Sequence, residues 1–287
     1  MSETVFITEC PRDAMQGIVE FIPTEKKIAY LNLLLKVGFD RLDFGSFVSP
    51  KAIPQLRDTA EVLEGLEDGS ATELLAIIAN VRGAQDAVTH ERIRFLGFPF
   101  SVSETFQLRN TNSTREESLD RVKEIVAICA AKNKTPLIYL SMGFGNPYGD
   151  VWNEEIVATY AEALYQLGVR HLALADTVGN SSPDKIRQLY PYLTKEFSNV
   201  EWGLHLHSTP QESHDKIEAA LAVGCRRFDT ALRGFGGCPM AEDELVGNIA
   251  TENLLSSMNT SASGPFQHKL NRDALETAMD YSWQIFK

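Results

Sequence analysis

Long apolar runs are missing from this 287-residue sequence. No stretch of about 18 uncharged apolar residues occurs, which argues against a membrane-spanning helix. Basic residues are also scarce, with 27 Lys and Arg against 39 Asp and Glu and a formal charge of −12. A net field of that sign repels a polyanion, so nucleic acid is disfavoured as a partner. Cysteine is sparse and unpatterned. Cys10, Cys129, Cys225 and Cys238 form no Cys-x-x-Cys pair and are too few for a disulfide framework. That usage fits a reducing, cytoplasmic setting. No Gly-x-Gly-x-x-Gly follows the first apolar run, which disfavours a dinucleotide-binding Rossmann unit. The opening residues meet an acid at Glu3 and read as neither an Arg-rich leader nor a secretory apolar core.

What is present is an alternation. The chain is 44% apolar and 23% charged, ordinary for a globular protein. Short apolar runs read as strands at Val5 to Thr8, Arg41 to Phe44, Glu73 to Ala79, Ile93 to Phe98 and Pro136 to Ser141. The later ones are His171 to Ala175, Val200 to His207 and Arg227 to Leu232. Helical patterns lie between them, at Thr24 to Val37 with Gly38 as its stop, and near 54–65, 83–91, 115–132, 153–167, 183–196 and 211–223. Strict βα alternation means parallel strands joined by helical crossovers. Eight such units in about 250 residues fit a closed (β/α)8 TIM barrel better than an open sheet. No linker, repeat or low-complexity tract interrupts them. The expectation is one catalytic barrel domain over residues 1–287, with a C-terminal helix at about 272–286 packed on it.

Parallel barrel strands should be apolar, so polar residues at their C-terminal ends are candidates for chemistry. Arg12, Asp13 and Gln16 follow the first strand, Asp43 ends the second, and Asp176 ends the sixth. His205 and His207 end the seventh, and a Gly-rich loop with Cys238, then Asn248, follows the eighth. At i, i+2 on a strand, both imidazoles point to one face. Together with Asp13 and Asn248 they offer two nitrogens, a carboxylate and an amide oxygen, a set that suits Mg²⁺, Mn²⁺ or Zn²⁺. A His-x-His pair also arises by chance, as a surface residue beside a core filler. Arg12 suits either an ion pair with Asp13 or stabilisation of a developing oxyanion. Cys238 reads as a reactive thiol or as a plain buried turn residue. Cys129 and Cys225 fall on helix positions that suggest inert thiols.

These blocks resemble a known family. Pro11-Arg12-Asp13-Ala14-Met15-Gln16 is similar to the Pro-Arg-Asp-Gly-Leu-Gln opening of the 3-hydroxy-3-methylglutaryl-CoA lyases, metal-dependent barrels of the DRE-TIM metallolyase superfamily. Ser46-Phe47-Val48-Ser49-Pro50-Lys51, Asp176-Thr177-Val178-Gly179, Gly236-Gly237-Cys238-Pro239 and Gly247-Asn248-Ile249-Ala250-Thr251-Glu252 extend the likeness along nearly the whole chain. The resemblance implies that Asp13, His205, His207 and Asn248 hold the cation, Mg²⁺ or Mn²⁺ before Zn²⁺. It implies Arg12 as the enolate stabiliser, Cys238 as a mobile-loop acid/base, His205 in proton transfer, Asp43 in the place of a family Glu, and Asp176 ordering the site. The implied reaction cleaves an acyl-CoA substrate to acetyl-CoA and acetoacetate, in a homo-oligomer expected to be a dimer. Departures stand at Ala14 for Gly, at Gly17-Ile18-Val19 for a basic Asn-Glu-Lys, and at Ser208-Thr209-Pro210 for Asp-Thr-Tyr. The competing readings are a Claisen-condensing synthase, a 4-hydroxy-2-oxoacid aldolase, and an inactivated barrel serving as a scaffold.

Overall fold

The computed structural model describes residues 3–237 and 246–286. Eight parallel strands close into a barrel: β1 (Phe6–Glu9), β2 (Arg41–Ser46), β3 (Glu73–Ile77), β4 (Ile93–Ser101), β5 (Thr135–Ser141), β6 (His171–Ala175), β7 (Glu201–His205) and β8 (Arg227–Thr230). Each strand pairs with its neighbours in sequence, and β8 closes on β1 in the register Phe6↔Arg227 through Glu9↔Thr230. The (β/α)8 expectation holds, strand for strand. Alternation sorts the side chains into two layers. Leu75, Ile77, Phe95, Leu137, Tyr139, Ala173 and Ala175 fill the barrel, while the larger core lies between strands and helices. Both faces are therefore buried, which is why the strands read as continuous apolar runs.

Several boundaries differ from the sequence expectation, among them the end of β4, which runs on to Ser101, and the helix expected near 83–91, which spans Val81–Ala87. The run Val200 to His207 breaks after His205, and His207–Ser208 instead pairs antiparallel with Gly247–Asn248. The helix expected at 54–65 splits into a 3₁₀ turn, Pro54–Leu56, and an α-helix, Thr59–Glu64. There the ammonium of Lys27 donates to the Gln55 carbonyl that a continuous helix would need, and pairs with Asp58 at 2.7 Å. The C-terminal helix runs Arg272–Ser282, shorter than expected, and packs on Thr24–Val37 with Tyr281 stacked on Tyr30. Helices at Pro11–Gln16, Glu104–Thr111 and Thr251–Thr260 add to those expected from the sequence. Among the described residues, no helix is long and apolar enough to cross a membrane.

Candidate active site

Beyond β1 the chain turns at Cys10, and Pro11 opens the helix Pro11–Gln16. Pro at that first position costs no hydrogen bond, because the first helical N–H groups have no intrahelical acceptor. The turn places two consecutive buried charges, Arg12 and Asp13, at the C-terminal mouth of the barrel. Arg12 is clamped. Its Nε donates to both oxygens of Asp43, at 3.1 and 2.9 Å, and its Nη2 donates to Asp43 Oδ2 at 2.6 Å. Its Nη1 donates to Asp13 Oδ1 at 3.0 Å and to Gln16 Oε1 at 2.8 Å. A guanidinium has five N–H groups, so four are committed and one on Nη2 remains for another acceptor. Burial pushes Asp43 up to about 6, against the pull of Arg12. The carboxylates of Asp43 and Asp13 overcome the burial of Arg12 and hold it protonated.

Asp13 joins this clamp to a second cluster. Its Oδ2 accepts from Asn248 Nδ2 at 2.9 Å, and the same amide nitrogen donates to the Phe235 carbonyl at 2.9 Å. The small antiparallel pairing sets Asn248 opposite His207. At the end of β7, His205 turns Nδ1 toward Asp229 Oδ2 on β8, 3.3 Å away, and its side chain lines the cavity. Ligating atoms of Asp13, His205 and His207 lie within 4.8 Å of one another. Both ring nitrogens of His207 and Oδ1 of Asn248 are buried without a hydrogen-bond partner (the Thr177 backbone approaches the ring but closes no bond). Buried polar atoms are rarely left so, because each costs about 1–3 kcal/mol. Burial and the neighbouring His205 push His207 down to about 4, which keeps it a neutral imidazole with lone pairs to give. Burial of Asp13 is outweighed by Arg12 and the two histidines, which lower its carboxyl and keep it ionised. Burial of His205 is outweighed by Asp229 and Asp13, which raise it. Uncommitted imidazole nitrogens and an ionised carboxylate within 4.8 Å of one another, with the unpaired amide oxygen of the adjoining Asn248, fit a divalent cation.

These groups form one end of a cavity of about 370 Å³, lined by Arg12, Asp13, His205 and His207 at the polar end and by Val48, Ile53, Ile77 and Phe106 along the walls. The geometry therefore brings together Arg12, Asp13, His205, His207 and Asn248. It sets Asp43 behind Arg12 rather than against the cavity, as the guanidinium's holder. Asp176 is turned away as well. Its carboxylate accepts from the backbone and hydroxyl of Ser181 and lies 3.7 Å from the buried ammonium of Lys216. Cys238 lies outside the described residues. Cys129 and Cys225 are fully buried, and burial pushes their thiols up to about 11 and about 12. Sequence reading missed Asp229, whose signal was an acid inside an otherwise buried strand. It also missed Lys216, a cation on the inner face of its helix that donates to the His207 carbonyl at 3.0 Å.

Known proteins share much of this sequence and its fold. Residues 4–281 match the family described as HMGL-like. The chain is 34% identical over 248 residues to a hydroxymethylglutaryl-CoA lyase of Bacillus subtilis, spanning 85% of this chain and 81% of that protein. Among solved structures, the HMG-CoA lyase of Bacillus subtilis superposes with a TM-score of 0.92 at 31% identity, covering 99% of this chain and 95% of that one. An HMG-CoA lyase of Acinetobacter baumannii, in complex with coenzyme A and 3-methylmalate, superposes with a TM-score of 0.89 at 33% identity, covering 98% and 91%.

Proposed function

The chain belongs to the HMGL-like family, and from that premise we propose that it is a divalent-metal-dependent carbon–carbon lyase cleaving 3-hydroxy-3-methylglutaryl-CoA to acetyl-CoA and acetoacetate. The observation that carries the reading is the convergence of Asp13, His205, His207 and Asn248, three of whose buried polar atoms lack partners, beside a clamped Arg12. A cation held by those four residues supplies Lewis-acid charge that lowers the pKa of the substrate's tertiary hydroxyl. His205, oriented through Nδ1 by Asp229, has one remaining lone pair, on Nε2, which would hold the cation and would take the hydroxyl proton only when released from it. As the C–C bond breaks, charge develops on the thioester enolate oxygen, and the one uncommitted N–H of Arg12 faces it. Because Asp43, Asp13 and Gln16 already fix the other four, little reorganisation is needed at that moment. Val48, Ile53, Ile77 and Phe106 give the cavity an apolar lining beside these groups. Cys238 is assigned as the group that returns a proton to the acetyl carbon.

The same reading assigns Mg²⁺ or Mn²⁺ as the resident ion, with Zn²⁺ the alternative, and a homodimer in the cytoplasm. Coenzyme A in the Acinetobacter baumannii relative supports a thioester substrate. The test is elemental analysis of the purified protein followed by a coupled acetoacetate assay. Acetoacetate should appear from the CoA thioester, cease with EDTA and return with Mn²⁺. Full metal occupancy with no acetoacetate would overturn the substrate.

A further inference from the structure

Next to the cavity lies a second group of ligating atoms, which shares only His205 with the residues of the proposed cation site. Cys10 Sγ, a ring nitrogen of His205 and a carboxylate oxygen of Asp229 lie within 4.8 Å of one another, and all three side chains are buried. The framework is rigid. Cys10 directly follows β1, Asp229 is paired with Thr8 across β1 and β8, and His205 is paired with Asp229 across β7 and β8. The 3.3 Å between His205 Nδ1 and Asp229 Oδ2 is long for an N–H···O bond. It equals the edge of a tetrahedron around zinc, since bonds of about 2.0–2.1 Å span about 3.3–3.4 Å. The matching sulfur–nitrogen edge, about 3.6 Å, falls inside the span of the group. Cys10 has one weak contact, from Sγ to the Thr8 carbonyl at 3.8 Å. The carboxylates of Asp229, Asp43 and Asp13 surround it, with the guanidinium of Arg12 the one opposing charge. That surplus of negative charge favours a dication, and sulfur selects a soft one over Mg²⁺.

We propose that Cys10, His205 and Asp229 form an inhibitory site for a thiophilic divalent cation of the Zn²⁺ and Cd²⁺ class. Binding forms a metal–sulfur bond, releases the thiol proton to solvent and involves no redox change. The site shares His205 with the harder-ion site of the proposed function. Two dications on one imidazole repel, so occupancy is exclusive and soft ions displace the catalytic one.

The test uses Cd²⁺ with the full chain in a Cys238→Ser background, which leaves only buried thiols. Two signals are followed: the ultraviolet sulfur-to-cadmium charge-transfer band and the electron paramagnetic resonance of bound Mn²⁺. The expected result is one band per chain, growing as Mn²⁺ is displaced. Cys10→Ser should abolish the band while keeping Mn²⁺ binding. Asp229→Asn, which retains the thiol, should keep the band but weaken Cd²⁺ at least about tenfold. A band that survives Cys10→Ser, or Mn²⁺ displacement without any band, overturns the proposal. A band with no Mn²⁺ binding in any variant supports this site and overturns the harder-ion reading instead.

Discussion

Replacing Glu9 by Gln should flatten the alkaline side of the protein's stability profile. Glu9 ends β1, is fully buried, and meets two distant segments. Its Oε1 accepts from the Leu232 N–H at 2.7 Å. The Thr251 hydroxyl lies 2.6 Å from its Oε2 and 2.9 Å from the Thr230 hydroxyl, and that single proton can serve only one of them. A protonated Glu9 resolves the count by donating to Thr251, which donates onward to Thr230. Burial, with the charge of Glu252 adding to it, pushes the carboxyl from 4.5 up to about 8, against the hydrogen bonds from Thr251 and Leu232. Because the folded value is raised, the folded state holds a proton that the unfolded state releases. Stability is therefore full below about 4.5 and lost as pH rises towards 8. At about 1.4 kcal/mol per pH unit, the whole window is worth at most about 5 kcal/mol. Gln keeps one acceptor and one donor in the same places without a charge. The variant should match the parent near pH 5 and exceed it by up to about 5 kcal/mol near pH 9. Urea melts of both proteins across that range, compared as differences, read the effect directly. Parallel profiles, or a Gln variant weaker at pH 9, would refute the reasoning.

Three further outcomes follow from the site. Arg12→Lys keeps a charge but cannot reproduce three contacts to Asp43 and two to Asp13 and Gln16, so kcat should fall about 10²–10³-fold with KM little changed. A lysine variant with most of its turnover would reduce Arg12 to an ion-pair residue. His207→Ala removes a ligand and should cost at least about 10–100-fold in metal affinity, read by elemental analysis after dialysis; full occupancy would falsify the site. Cys238→Ser should leave fold and metal intact while losing most turnover, because an alcohol transfers protons poorly near neutral pH. Alkylation by iodoacetamide should inactivate the parent and slow when a substrate analogue is bound, and a fully active Ser variant would remove the thiol from the mechanism.

The barrel was legible because its signal is local: strands buried on both faces give apolar runs, and helices between them give a different period. The helix at 115–132 was legible down to its start, where Thr114 and Glu117 form a reciprocal capping box. The histidine pair was legible through an argument that is only half true. Leu206 interrupts the strand, yet the rings of His205 and His207 still lie 5.2 Å apart, because pairing with Gly247–Asn248 turns His207 back toward the site. What the sequence hides are partnerships made across the barrel seam. Glu9 with Thr251 and Asp13 with Asn248 join residues more than 230 positions apart. Asp43 shows the same limit. Its position pointed to chemistry, but only the closed barrel shows its carboxylate wholly engaged by Arg12.

The adjacency of Arg12 and Asp13 has a mechanical meaning. Consecutive helical residues diverge by about 100°, so one short helix sends Arg12 toward β2 and Asp13 toward the His207–Asn248 pairing. Each oxygen of Asp13 then carries one hydrogen bond, from Arg12 on one side and Asn248 on the other. A carboxylate has about four lone-pair sites, so both bonds leave capacity for a cation. Counted formally, Asp13, Asp43 and Asp229 bring three negative charges into the buried centre, and Arg12 returns one positive charge. Buried charge persists only when paired. A proton on His205 offsets part of the remainder, in line with its raised pKa, whereas a dication offsets all of it. Metal and imidazole proton are thus alternative occupants of one electrostatic deficit, so a cation that binds there would displace the proton from His205.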